Sequence, residues 1–371
     1  MRFVLVTGST ETARIDGLSA AGASPALLAQ TPAADAEILK HGRPRVTDVV
    51  PVSPTGCPTP AVVTRAGREL LGFDVDVIDA GSARRVTVAD RTLATTAGRD
   101  IRESHALPNA ATLVERAREY GRGLADEHVL IAETVPGGTT TAMATLAALG
   151  ERTAVSSSLA ANPVERKRRV ADAGLAASDL PPGGAADDPL RALGAVGDPA
   201  LAGVVGVALG LLDRDGRVTF AGGTQLCAAA ALLRRFGVDA PLSLATTSFV
   251  AADDSADVRG LATDLDVELT VTDPAFDSVS HPLTDAYCRG EAKEGVGMGG
   301  VLAMAAGDVP GLASSGTPTV VDVRDRALTV YDRLLAGAPD DHPAIARMGD
   351  GDVPVEEAAG DRFADHSGDD A

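Results

Sequence analysis

The stretch "VLIAETVPGGTTTAMATLAALG" (129–150) decides the fold. An apolar run ends at Glu133, the chain passes through Val135-Pro136-Gly137-Gly138, and three threonines open an alanine-rich helix. Strand, glycine turn and helix N-terminus together form the local geometry in which free backbone N–H groups meet an anion. Gly137 and Gly138 let a ligand approach the backbone closely. Thr139, Thr140 and Thr141 add hydroxyl donors where the helix dipole also favours negative charge. A phosphate is the natural guest; a plain helix cap with threonine hydroxyls on orphan amides is the alternative. The run is neither a Walker A loop nor a G-x-G-x-x-G fingerprint. Glu133 suits sugar hydroxyls better than a phosphate, so the pairing points to a nucleoside monophosphate.

Working outward, short apolar runs bounded by turn residues predict strands at Phe3–Thr7, Thr47–Val50, Val75–Asp79, His128–Ala132, Arg217–Ala221, Leu242–Thr247 and Val267–Val271. Helical patterns lie between them, at Thr59–Leu71, Ala110–Asp126, Thr139–Leu149, Pro163–Ala173, Pro199–Leu212, Gly223–Phe236, Ser255–Asp264 and Arg324–Leu335. This alternation predicts an α/β fold: three layers, α/β/α, around a mainly parallel, Rossmann-like sheet. Residues 1–336 are expected to form one catalytic domain, in which 1–126 could be a semi-separate lobe. Residues 337–371 are acidic and rich in Gly, Pro and Asp, and are expected to be a largely disordered tail.

In such a sheet, ligands bind beyond the carboxyl ends of the strands. The remaining candidates fall there. "AGGTQ" (221–225) repeats the strand–glycine–helix logic with Gly222, Gly223 and Thr224; glycines serving only helix packing are the alternative. "KEGVGMGG" (293–300) sets Glu294 beside Gly295 and Gly297 at the start of an apolar helix. A carboxylate in a glycine-lined cavity can act as a general base, since burial raises its pKa toward neutrality; a solvated loop glutamate is the alternative. "ERKRRVADA" (165–173) is the only dense basic run, either a solvated helix face or the source of a phosphate counter-charge.

The bulk composition excludes several classes. The net charge is −19, and lysine occurs only at positions 40, 167 and 293. Acidic, lysine-poor and rich in small apolar residues, the chain reads as a halophile protein whose charge maintains solubility. Nucleic-acid partners, which need a basic stripe, are not expected. The cysteines Cys57, Cys227 and Cys288 are far apart and the six histidines scattered, so neither a disulfide framework nor a metal site is expected, and no cofactor. No run approaches the ~18 apolar residues of a membrane span, and a cytoplasmic protein is expected.

In their order, these segments resemble the nicotinate-nucleotide:dimethylbenzimidazole phosphoribosyltransferase family, and more closely its archaeal branch. "AETVPGGTT" (132–140) resembles that family's G-E-M-G-I-G-N-T-T run, "GGT" (222–224) its D-G-F turn, and "KEGVGMG" (293–299) its G-E-G-T-G-A run. "PVSPTGCPTPAVVTRAGRELL" (51–71) and "GRDIRESHALP" (98–108) look like the archaeal branch specifically. The resemblance implies exchange of the nicotinate of nicotinate mononucleotide for 5,6-dimethylbenzimidazole or a related base, giving α-ribazole 5′-phosphate for cobalamin synthesis. It implies Glu294 as the catalytic carboxylate and Glu133 near the ribose. Gly137, Gly138, Thr139 and Thr140 would form the phosphate turn. A phosphate-binding cation would fall on Lys167 or Arg169, and a further contact on Thr247 or Ser248. The partners implied are small molecules, a nucleotide and a benzimidazole-type base, and the assembly implied is a homodimer. Gly138 stands where the family has Asn, Gly222 and Thr224 replace Asp and Phe, and Val296 replaces Thr. A non-catalytic nucleotide-binding protein, or a phosphoribosyltransferase acting on another base, are the other readings.

Overall fold

Seven parallel strands make one sheet: β1 (Arg2–Thr7), β2 (Asp74–Asp79), β3 (Arg91–Thr92), β4 (His128–Thr134), β5 (Arg217–Ala221), β6 (Leu242–Thr247) and β7 (Val267–Thr272), in the order β3-β2-β1-β4-β5-β6-β7. The computed structural model describes residues 1–22, 24–45, 50–309 and 318–336. The register of the central pair runs from Arg2 opposite Val129 to Thr7 opposite Thr134. Strand order reverses between β1 and β4, and that reversal opens a crevice at their carboxyl ends.

Side-chain alternation explains why the sheet is covered on both faces. On β1, Val4 and Val6 belong to one buried cluster, Phe3 and Leu5 to another; on β4, Val129 and Ile131 join the first, Leu130 and Ala132 the second. Helices Ala110–Gly123, Gly138–Leu149, Pro199–Leu212 and Thr224–Arg235 cover the first face. Helices Thr31–His41, Ala61–Leu71, Met298–Ala306 and Val320–Leu335 cover the second. The result is the expected three-layer α/β/α architecture. β1, β2 and β3 are bonded into the same sheet as the later strands. Among the described residues no helix is long and apolar enough to cross a membrane.

Two expectations lie mostly or wholly outside the described residues, and two elements were not expected. The strand expected at Thr47–Val50 falls outside the described residues except for Val50, which lies in no strand, and the expected tail 337–371 lies wholly outside them. The edge strand β3 was unforeseen because its two residues are exposed and polar. Helix Thr31–His41 was unforeseen because nine of its eleven residues are buried, so it shows no one-sided apolar stripe, and no side chain caps its start.

Helices Ala110–Gly123 and Pro199–Leu212 cross closely because glycines remove Cβ atoms on both. A Cβ at Gly210 would lie 2.0 Å from the Arg118 carbonyl oxygen, and one at Gly121 2.3 Å from that of Val207. Gly210→Ala should therefore force the helices apart and destabilise the fold by about 1–3 kcal/mol. Urea denaturation checks this; an unchanged midpoint would contradict the packing.

Candidate active site

The crevice at the sheet reversal is a cleft with about 1000 Å³ of empty volume, part of it continuous with solvent. Its walls come from the end of β4 and the turn after it, the turn 223–225 after β5, the segment 18–22, Thr31 and Asp35, the loop 156–158, residues of the loop 51–60 and the turn 292–296. Of the residues singled out from sequence, Glu133, Gly137, Gly138, Thr139, Gly223, Thr224, Glu294 and Gly295 line it.

Glu133 ends the apolar run of β4 and is almost wholly buried. The amide of Val296 donates to the Glu133 carbonyl at 3.1 Å, which fixes the turn bearing Glu294 directly against the end of β4. That turn is backbone-strained. Ala292, Lys293 and Val296 have φ of 56°, 58° and 52°, and Gly295 and Gly297 have φ of 147° and 78°. A β-branched residue at positive φ is a genuine outlier, and such strain persists only where the surroundings enforce it. Here Thr247 Oγ1 holds the Lys293 carbonyl at 2.7 Å and Thr64 Oγ1 the Val296 carbonyl at 2.9 Å. Gly297 must be glycine for a second reason: a Cβ would lie 2.4 Å from the Phe3 ring.

The half-buried Glu294 accepts the amides of Gly295 and Gly299 at 3.0 Å, at the N-terminus of helix Met298–Ala306. Desolvation nonetheless pushes its pKa up to about 8, against those amides. Glu133 is also pushed up to about 8, first by burial and then by repulsion from Asp198 and Glu294. Asp35, buried on the cleft wall, is pushed up to about 6 by burial, against hydrogen bonds from Thr59 Oγ1 at 2.6 Å and Thr134 Oγ1 at 2.7 Å. The cleft thus holds carboxyl groups poised near neutrality.

Backbone donors gather beside these carboxyl groups: a Cβ at Gly223 would lie 3.8 Å from Glu294 Cγ. Helices Gly138–Leu149 and Thr224–Arg235 both begin at the cleft. The amides of Thr139, Gly223, Thr224 and Gln225 have no protein acceptor among the described residues. A Cβ at Gly138 would lie 2.2 Å from Gln225 Nε2, so Gly138 makes room for that side chain. Gln225 Nε2 is buried without a hydrogen-bond partner. These N–H groups form a cluster of donors without protein acceptors, an arrangement chemically suited to an anion.

Other expected residues lie elsewhere. Lys167 is fully buried, and its Nζ donates to the Ser156 carbonyl at 2.6 Å behind the cleft wall. Burial, then repulsion from Lys293, pushes its pKa down to about 7. Arg169 is exposed on the outer side of its helix, where the apolar contacts of Val170 turn the opposite face inward. Gly222 packs against Leu226, and Thr140, Thr247, Ser248 and Gly297 support the walls without lining them. Sequence reading missed Asp35, Ser156, Ser157, Ser158, Gln225 and the role of Lys293; the triple serine was the only local signal.

No family model matches the sequence. A UPF0284 protein of Halobacterium salinarum is 54% identical over 333 residues, spanning 90% of this chain and 98% of the relative. The chain belongs to the UPF0284 family. A Pyrococcus furiosus UPF0284 protein is 41% identical over 314 residues, covering 83% of this chain and 94% of its own length. The UPF0284 fold is shared with a solved nicotinate-nucleotide-dimethylbenzimidazole phosphoribosyltransferase from Thermus thermophilus, at a TM-score of 0.56 and 18% identity over 93% of this chain and 85% of that one. A second structure, CobT from the same organism, aligns at a TM-score of 0.55 and 18% identity, over 89% and 83%. At that identity the likeness is one of fold.

The raised Glu133 pKa has a consequence for stability. Below pH ~4.5 the carboxyl is protonated folded or unfolded; between there and about 8 only the folded chain keeps the proton, so stability falls as pH rises through that window. Glu133→Gln should flatten the decline, gaining on the native sequence from pH 5 to pH 8. Melting temperatures across that range check it; parallel curves would mean that Glu133 is ionised at neutral pH.

Proposed function

We propose that this UPF0284 protein is a phosphoribosyltransferase that exchanges the nicotinate of nicotinate mononucleotide for a benzimidazole-type base. The observation that supports this reading best is the placement of Glu133 and Glu294, distant in sequence, on one cleft together with backbone N–H groups that have no protein acceptor among the described residues. Thr139, Gly223, Thr224 and Gln225 would take the 5′-phosphate, and Glu133 the ribose hydroxyls. The likeness of fold to the Thermus enzymes and the three motif turns point the same way.

The chemistry fits this equipment. The unprotonated ring nitrogen of the incoming base attacks C1′ as the C1′–N bond to the pyridinium breaks. Nicotinate leaves with the bonding pair, which neutralises its ring charge. The attacking base becomes cationic and loses its N–H proton to Glu294, the one proton the balance requires. A desolvated carboxyl near pKa 8 accepts that proton once ionised.

Incubation with nicotinate mononucleotide and a panel of benzimidazoles and purines in molar KCl should release free nicotinate, read by chromatography. Glu294→Gln should lower kcat by about 10²–10⁴-fold while nucleotide binding persists. The native kcat should rise with pH through about 8, as Glu294 ionises. Binding of the nucleotide with no nicotinate released by any base would favour a binding protein instead.

A further inference from the structure

Each carbonyl group of residues 155–159 accepts a hydrogen bond. Asn162 Nδ2 holds the Val155 carbonyl at 2.8 Å, Lys167 Nζ that of Ser156 at 2.6 Å, and the Ala292 amide that of Ser158 at 2.9 Å. Lys293 Nζ takes two, Ser157 and Leu159, each at 3.1 Å. The Ser156 hydroxyl donates to Asp253 at 2.9 Å, and Asp253 also pairs with Lys293 at 3.2 Å. Both lysines are buried, Lys167 completely. With every carbonyl tied, the amides of Ser157 and Ser158 remain without a protein acceptor among the described residues, in a segment that lines the cleft.

In a trans peptide unit the N–H points opposite to the C=O, so holding the Ser156 and Ser157 carbonyls fixes the direction of the Ser157 and Ser158 N–H groups, and adjacent free N–H groups suit an anion. We infer that Lys167 and Lys293 are positioning residues that act on a phosphate monoester through the 155–159 backbone, turning the Ser157 and Ser158 amides into the cleft, rather than by touching the phosphate. This rests on the phosphoribosyl reading of the cleft. Three observations favour action through the backbone. Lys167 does not line the cleft, and its Nζ already spans the shortest of the carbonyl contacts. Lys293 does line it, but its Nζ is committed to two carbonyls and a carboxylate. Finally, the segment is pinned independently, by the Thr224 hydroxyl on the Ser156 amide at 3.0 Å, so it stands next to the start of helix Thr224–Arg235. Lys293 also precedes Glu294, and so ties the phosphate wall to the turn that carries the proposed base.

The test uses full-length protein labelled with ¹⁵N-serine and titrated with ribose 5-phosphate and with ribose. The Ser157 and Ser158 amide resonances should move downfield with ribose 5-phosphate and stay in place with ribose. Lys293→Met and Lys167→Met should each weaken ribose 5-phosphate by about tenfold, the loss of one charge-assisted anchor, with ribose affinity unchanged. Ribose 5-phosphate binding that leaves both amides unmoved, or folded lysine variants that bind it as tightly as the native protein, would overturn the inference. Should either variant fail to fold, the amide shifts of the native chain decide alone. Amide shifts without any nicotinate release would uphold this inference and count only against the reaction proposed above.

Discussion

The hydrogen bond from the Val296 amide to the Glu133 carbonyl is the contact on which the cleft depends. It joins the end of the central strand β4 to a turn more than 150 residues later in the chain. That turn is held in left-handed backbone by hydroxyls of Thr64 and Thr247, which come from opposite sides of the sheet reversal. Without the bond, Glu294 would have no fixed relation to Glu133, and the apolar helix Met298–Ala306 would lose its registration over β5 and β6. The strain at Ala292, Lys293 and Val296 therefore reads as the cost of bringing a carboxylate to the mouth of the sheet.

On the proposed function, this acidic protein must hold an anion with little cation on display. The lysines near the cleft, Lys167 and Lys293, are buried, and their Nζ groups are engaged by backbone carbonyls and, for Lys293, by Asp253 as well. The donors left for a phosphate are N–H groups of two helix starts and one loop. Such dipoles act over hydrogen-bond distances, where concentrated salt screens little, whereas exposed charges are screened beyond ~3 Å at 1 M. On the proposed reading, the surface charge would serve solubility while the cleft relies on short-range donors.

Much of this was legible in the sequence. The parallel sheet followed from apolar runs alternating with helical patterns, and helix Pro199–Leu212 matched its expected limits because Pro at its first turn follows the capping Asp198. Glu133 and Glu294 stood out because a carboxylate bordering paired glycines at a strand or helix end is chemically conspicuous. What sequence concealed was side-chain direction. Lys167 lies in a basic run whose other members are exposed, and nothing local says that this one turns inward. Asp35 sits in a helix buried nearly all round, and Ser156, Ser157 and Ser158 matter through backbone groups that carry no residue signature.

The most direct test is a crystal structure with nicotinate mononucleotide bound. The account predicts the phosphate against the amides of Thr139 and Gly223 and the ribose C1′ between Glu133 and Glu294, with room for a second ring on the Glu294 side. A nucleotide seated outside this cleft, or within it but with its C1′ turned away from both glutamates, would contradict it.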